Sequence, residues 1–301
     1  GGCRRAPGVS AIAAGGAHTC ALLVNGSVKC WGDDAYFQLG DGSSTDRWEP
    51  VAVAGLGSGA LAIAAGAAHT CALTDSGGVK CWGSNRNGQL GGGTWSKNGA
   101  IVDVVGLNSG VQAIAAGGDH TCALMGSGAV KCWGDNQFGQ VGDGTTEDRS
   151  RPVEVDGLQS GVRAIAAGSA HTCALLVGGG VKCWGANASG QLGGGSWFKG
   201  WKIVDVEGLT DTVRAIAAGG SHTCALLESG GLSCWGENES GQLGDGTTTD
   251  QFTANGVISY GAEGIAIVAG FAHSCTIVDE GNIYCWGDNA YGQLGGGAQG
   301  K

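Results

Sequence analysis

The tripeptide His-Thr-Cys, once His-Ser-Cys, begins at His18, His69, His120, His171, His222 and His273, an unbroken interval of 51 residues. Ten residues beyond each of those cysteines stands a second one, followed at once by Trp-Gly: Cys30-Trp31, Cys81-Trp82, Cys132-Trp133, Cys183-Trp184, Cys234-Trp235 and Cys285-Trp286. A period near 50 confines the chain to propellers or solenoids, in which a unit buries its apolar face only against its neighbours. The repeats run approximately 1–51, 52–102, 103–153, 154–204, 205–255 and 256–301. Length alone would allow two domains. The unbroken repeat predicts one, spanning 1–301.

Within a repeat the segment Cys20-Ala-Leu-Leu-Val-Asn-Gly-Ser-Val-Lys-Cys30 is centred on Asn25. A three-residue loop there ends on Gly26, and Gly77, Gly128, Gly179, Gly230 and Gly281 hold the same phase. Such hairpin loops need a left-handed last residue, which glycine adopts without a Cβ penalty. In this register the two cysteines face each other, with Cα atoms about 4.5–5.5 Å apart, within disulfide reach. Six bridges follow: Cys20–Cys30, Cys71–Cys81, Cys122–Cys132, Cys173–Cys183, Cys224–Cys234 and Cys275–Cys285. The ten-residue gap offers none of the short Cys/His clusters that zinc uses.

Ahead of each hairpin lies Ala-Ile-Ala-Ala-Gly, or Ala266-Ile-Val-Ala-Gly270 in the sixth copy. Small and β-branched residues in so short a run predict a strand packed on both faces. After Trp-Gly come a glycine-rich loop and a last strand such as Pro50–Val53 or Pro152–Val155. Four strands per repeat is the content of a propeller blade. The fold class is therefore all-β: a six-bladed β-propeller of four-stranded blades, one disulfide per hairpin, the termini meeting at the closing blade. Gly1–Arg5 is expected beside that seam, and Cys3 is expected to bond across it or to another chain.

Composition narrows the setting. Six cysteine pairs in one chain predict an oxidising location: secreted, periplasmic or cell-surface. A net charge of −10 without a Lys/Arg cluster excludes the basic face that nucleic-acid binding requires. No apolar stretch reaches the roughly 18 residues of a membrane span, so no membrane insertion is expected. The chain opens on Gly1-Gly2-Cys3, and its sole methionine is Met125, the expectation being a processed form or a piece of a longer chain.

The pattern Gly-Gly-x-His-Thr, then Trp-Gly-x-Asn-x-x-Gly-Gln-Leu-Gly, recurs as Trp82–Gly91, Trp133–Gly142 (with Val141), Trp184–Gly193, Trp235–Gly244 and Trp286–Gly295. It resembles the regulator of chromosome condensation repeat over essentially the whole chain. The first copy departs from it, with Asp34 for Asn and Phe37 for Gly. The resemblance implies a propeller of four-stranded blades, usually seven. Functionally the family ranges from a nucleotide exchange factor on chromatin to a plant light sensor and a secreted bacterial β-lactamase inhibitor. An acidic chain with a cysteine pair in each repeat looks most like the bacterial extracytoplasmic versions.

Residues needed in every repeat point to construction. The six histidines are expected to bond backbone groups of their own blades, and the Trp-Gly tryptophans to pack over the cystines or between blades. The loops after Gln-Leu-Gly alternate instead. Odd repeats carry Asp41–Asp46, Asp143–Asp148 and Asp245–Asp250, ordinary turn chemistry rather than a calcium ladder. Even repeats carry Gly92-Gly-Thr-Trp-Ser-Lys97 and Gly194-Gly-Ser-Trp-Phe-Lys199, so a two-blade unit underlies the repeat. Trp201, and Trp48 near the same phase, add further aromatics. Aromatics on loops anchor partner proteins or sugar rings. Trp95, Lys97, Trp197, Phe198 and Trp201 are therefore the candidate partner-binding residues. The expected partner is another protein or neighbouring copies of the chain, with a glycan as the alternative and a structural subunit of an extracellular assembly as a third reading. No nucleophile elbow, zinc-protease helix or phosphate loop is present, so neither enzyme activity, cofactor nor metal is expected. Sequons occur at Asn25, Asn187 and Asn238.

Overall fold

The computed structural model describes residues 8–95, 99–196, 202–258, 263–279 and 281–296. Among them every regular element is a strand, and the strands form six antiparallel meanders, one per repeat. Two compact units contain them. One holds 1–126, 130–135 and 148–154, and the other 127–129, 136–147 and 155–301.

The first unit carries three sheets of four strands. These are β1 (Val9–Ala14), β2 (His18–Leu23), β3 (Val28–Gly32) and β4 (Arg47–Ala52); β5 (Ala60–Ala65), β6 (His69–Thr74), β7 (Val79–Gly83) and β8 (Val102–Asp103); and β9 (Val111–Ala116), β10 (His120–Met125), β11 (Val130–Gly134) and β12 (Arg149–Glu154). The second unit carries β13 (Val162–Ala167), β14 (His171–Leu176), β15 (Val181–Gly185) and β16 (Val204–Asp205); β17 (Val213–Ala218), β18 (His222–Leu227), β19 (Leu232–Gly236) and β20 (Gln251–Gly256); and a sheet of β21 (Gly264–Ala269), β22 (His273–Val278) and β23 (Ile283–Gly287). The fold class is an all-β propeller of six blades. The segment Gly1–Arg5, Cys3 and the closing strand expected of the termini lie outside the described residues.

Each hairpin follows from its turn. Leu23 N–H donates to Ser27 O and Gly26 N–H to Leu23 O, leaving a three-residue loop with Gly26 at φ 78°. That register sets Cys20 opposite Cys30, and the same pairing recurs in every blade. All six disulfides are formed, with Cα atoms 4.1 Å apart. In five blades both cysteines are fully buried.

The apolar core sits between successive blades. In one cluster Cys71, Leu73, Val79, Cys81 and Leu90 of the second blade meet Val111, Ala123 and Trp133 of the third. In the other unit Cys173, Leu175, Val181 and Cys183 meet Val213, Ala225 and Trp235. A tryptophan buried to this extent removes about 150–250 Å² from water, roughly 4–6 kcal/mol of transfer free energy. Trp82, Trp133, Trp235 and Trp286 each pack in this way with the cystine of the preceding blade.

The first strands depart from expectation. Apart from a buried residue near the start, β5, β9, β13 and β17 are half-buried, not packed on both faces. Alanine side chains are too small to seal a strand on their own. The loop alternation reappears in the fourth strands: β4, β12 and β20 have six residues each, β8 and β16 only two. Strands β4 and β12 begin earlier than Pro50 or Pro152, because Arg47 and Arg149 already pair with Gly32 and Gly134.

Candidate partner-binding loops

The loop tier hangs from one carbonyl oxygen per blade. Gln89 O accepts from Trp133 Nε1 at 2.8 Å and from Thr121 Oγ1 at 2.9 Å, both on the next blade. Thr121 Oγ1 spends its proton on that carbonyl, so it accepts from His69 Nε2, 2.9 Å away. The linkage repeats as His18–Thr70–Gln38–Trp82 in the first unit and as His171–Thr223–Gln191–Trp235 in the second. This corrects the expectation that each histidine bonds backbone of its own blade. The partner is a hydroxyl one blade onward, because His and Thr are adjacent in the motif and neighbouring blades are offset by one repeat. Glycine permits the approach: a Cβ on Gly66 would collide with the His69 ring and the Gly117 carbonyl oxygen.

Burial holds these rings neutral. It lowers His18 and His171 to about 4, and lowers His69 and His222 to about 3 with help from neighbouring histidines. The Nε2 proton is committed to the hydroxyl, and Nδ1 of these four rings has no hydrogen-bond partner. They are framework groups.

Beyond the carbonyl, the Asn of the motif positions the outer loop. Asn85 Oδ1 accepts from Leu90 N–H at 3.1 Å, and its Nδ2 donates to Thr94 O at 2.9 Å. Trp95 follows directly and is 50% exposed. The fourth blade repeats the anchor, with Asn187 donating to Ser196 O at 2.9 Å. Lys97, Trp197, Phe198 and Trp201 lie outside the described residues. In the third and fifth blades the amide does more. Asn136 Nδ2 reaches Asp143 Oδ1, Thr145 O, Thr145 Oγ1 and Glu147 O at 3.0–3.3 Å. Asn238 holds the equivalent four oxygens.

Other aromatics join Trp95 on the surface. Trp48 is 94% exposed, Tyr291 93% and Phe138 55%. Arg86 stacks 4.7 Å from the Tyr36 ring centre and donates to its hydroxyl at 3.0 Å. Tyr36, Phe138 and Tyr291 share one phase of the 51-residue period, a signal available in the sequence but not used there. Among the described residues no group of three or more His, Cys, Asp or Glu is placed to hold a metal ion, and no helix is long and apolar enough to cross a membrane.

Blades each closed by a cystine, with shared carbonyls joining the first five to their successors, define a disulfide-bonded β-propeller. The RCC1-like domain matches residues 3–262 and the regulator of chromosome condensation repeat matches 265–293. The chain belongs to the RCC1-like family. It is 36% identical over 245 residues to the ultraviolet-B receptor UVR8 of Arabidopsis thaliana, covering 79% of this chain and 55% of that protein. It is 35% identical to the human E3 ubiquitin-protein ligase HERC2, covering 79% of this chain and 5% of that one. The chain thus spans about half, or far less, of these relatives' lengths. Human WBSCR16 shares the fold, with a TM-score of 0.87 at 24% identity over 97% of this chain and 79% of that one. Yeast RCC1, solved bound to Kap60, has a TM-score of 0.81 at 25% identity, covering 93% and 70%.

Proposed function

We propose that the protein is a non-enzymatic interaction scaffold working outside the reducing cytosol, which binds another protein through the even-repeat loops. The observation that carries this reading is Trp95: a large aromatic half in solvent, on a loop fixed from behind by the buried amide of Asn85. A rigidly presented aromatic loses little entropy on docking and is a typical hot-spot anchor. The matching loop of the fourth blade carries Trp197 and Phe198 beyond an identical anchor. Six disulfides support the compartment, since such bonds persist where thiols are not kept reduced. Yeast RCC1, a protein that shares this fold, was solved bound to Kap60.

The test is recovery of cross-linked partners from native material with wild type and with Trp95→Ala, Trp197→Ala and Trp201→Ala, folding being checked by circular dichroism. Loss of a protein partner in the variants supports the scaffold. Undiminished recovery by all three refutes these loops, and tryptophan-dependent signal on a glycan array replaces the protein partner with a sugar.

A further inference from the structure

Asp34 occupies the position where the other five repeats have asparagine. One half of its side chain behaves as that asparagine does: Oδ1 accepts from Leu39 N–H at 3.0 Å, as Asn136 and Asn238 accept from Val141 and Leu243. The other half cannot. Where Asn136 and Asn238 turn an N–H₂ toward four oxygens, Asp34 turns a carboxylate oxygen toward the same loop. Asp41, Ser43 and Thr45 stand at the phases of Asp143, Thr145 and Glu147. Ser43 Oγ approaches Oδ2 only to 3.5 Å. The side chain is fully buried, so an ionised Oδ2 keeps only this long Ser43 O–H donor beside the Asp41 charge, where the third and fifth blades place an amide that itself donates.

We propose that Asp34 makes the first outer loop a proton-operated latch: protonated, its Oδ2–H donates into the oxygen cage as the amide does in the third and fifth blades; ionised, it releases the loop Asp41–Asp46. The charged groups around it set the balance. Asp41 repels the ionised form, while Arg47, held to Asp41 at 2.7 Å, partly offsets that repulsion. Asp46 Oδ1 accepts the Asp34 backbone N–H at 3.0 Å and adds a further negative group. Asp33 is engaged by Gln38 Nε2. Burial first, then the Asp41 charge, raises Asp34 to about 6 against the resistance of the Leu39 and Ser43 hydrogen bonds and Arg47. The folded value lies above the unfolded one, so the native state binds the proton more tightly. The latch is closed below the folded value and opens as pH rises through it; the stabilisation it gives the fold is complete below the ordinary aspartate range and is lost over the same rise.

The experiment is a carbon-13 titration of the Asp34 carboxyl together with amide hydrogen exchange between about pH 5 and pH 8. Thr145 and Thr247, in the amide-latched loops, serve as references in the same sample, which removes the intrinsic pH dependence of exchange. The expected result is a carboxyl midpoint near 6. Protection at Ser43 and Thr45 should fall about tenfold relative to Thr145 and Thr247 for each pH unit above that midpoint. Asp34→Asn should abolish the pH dependence and restore the reference protection. A midpoint near the ordinary aspartate value, or Ser43 and Thr45 tracking their references at every pH, overturns the proposal. So does a loop that millimolar calcium chloride holds closed at pH 8, since the cage would then take a cation in place of a proton.

Discussion

Replacing Thr121 with valine tests whether the shared-carbonyl linkage holds the blades together. Valine keeps the shape, so no cavity opens, and the loss is that of the hydroxyl alone. Two hydrogen bonds disappear, from His69 Nε2 and to Gln89 O, each 2.9 Å long and buried. Gln89 O keeps the Trp133 indole as a donor, so that loss costs about 0.5–1.5 kcal/mol. His69 fares worse. Its Nε2–H is left without an acceptor, and shifting the proton to Nδ1 gives no relief, because that nitrogen also has no partner. An orphaned buried donor costs about 1–3 kcal/mol, so Thr121→Val should destabilise by roughly 2–4 kcal/mol. Thr121→Ser is the control, since Ser274 already performs this role between His222 and Gln242 O at 2.9 Å on each side. It should cost about 1 kcal/mol, mainly for the lost methyl. Urea unfolding followed by tryptophan fluorescence and circular dichroism gives both values, with coincidence of the probes checking two-state behaviour. A valine variant as stable as the serine variant would refute the linkage.

Removing one cystine as Cys71→Ala with Cys81→Ala should cost about 2–3 kcal/mol through loop entropy alone, read as a lower urea midpoint than wild type. The buried histidines predict acid lability above the range where carboxylates titrate. Their folded values of about 3 to 4 lie below the unfolded 6.5, so their contribution is complete above 6.5 and is lost as pH falls toward the folded values. Each should contribute a slope of roughly 1 kcal/mol per pH unit below 6.5. An Asp34→Asn background removes the opposing titration, and a flat urea midpoint from about pH 7 to pH 5 in that background would contradict the assignment. Lys80→Ala should change stability by under about 1 kcal/mol, because its 2.6 Å pair with Asp103 is solvent-exposed. A larger loss by the same urea assay would show the pair to be structural.

The features that could be read in the sequence are those encoded within one repeat. Gly26 and the ten-residue cysteine spacing sit in a single hairpin, so turn, register and disulfide could be inferred together. The histidine linkage is not legible within one repeat because its partners lie on different blades, although the adjacency of His with Thr, or with Ser274 in the sixth copy, contains the answer once blades are stacked one repeat apart. The loop aromatics divide similarly. Trp95 is legible because it recurs with the odd–even alternation, at the phase of Trp197, where the odd loops are polar. Phe138 and Tyr291 are not legible in this way, because their phase carries unlike residues from blade to blade.

Departures from the repeat are where individual function can reside. A residue required in all six copies is constrained by the junction it makes, and its loss should damage folding before anything else. Phe37 and Asp34 are not so constrained. Phe37 keeps the left-handed backbone of the glycine it replaces, at φ 64°, and its ring lies against Gly99. A non-glycine residue held there stores of order 1 kcal/mol of strain, which the ring contact offsets. Asp34 keeps the acceptor half of the asparagine it replaces and exchanges the donor half for a titratable group. Both changes fall in the first blade, within four positions of each other, and both leave the sheet beneath intact. The loop tier of that blade is therefore tuned separately from the frame that carries it, which is the arrangement an interaction scaffold needs if its surface is to change without cost to the fold.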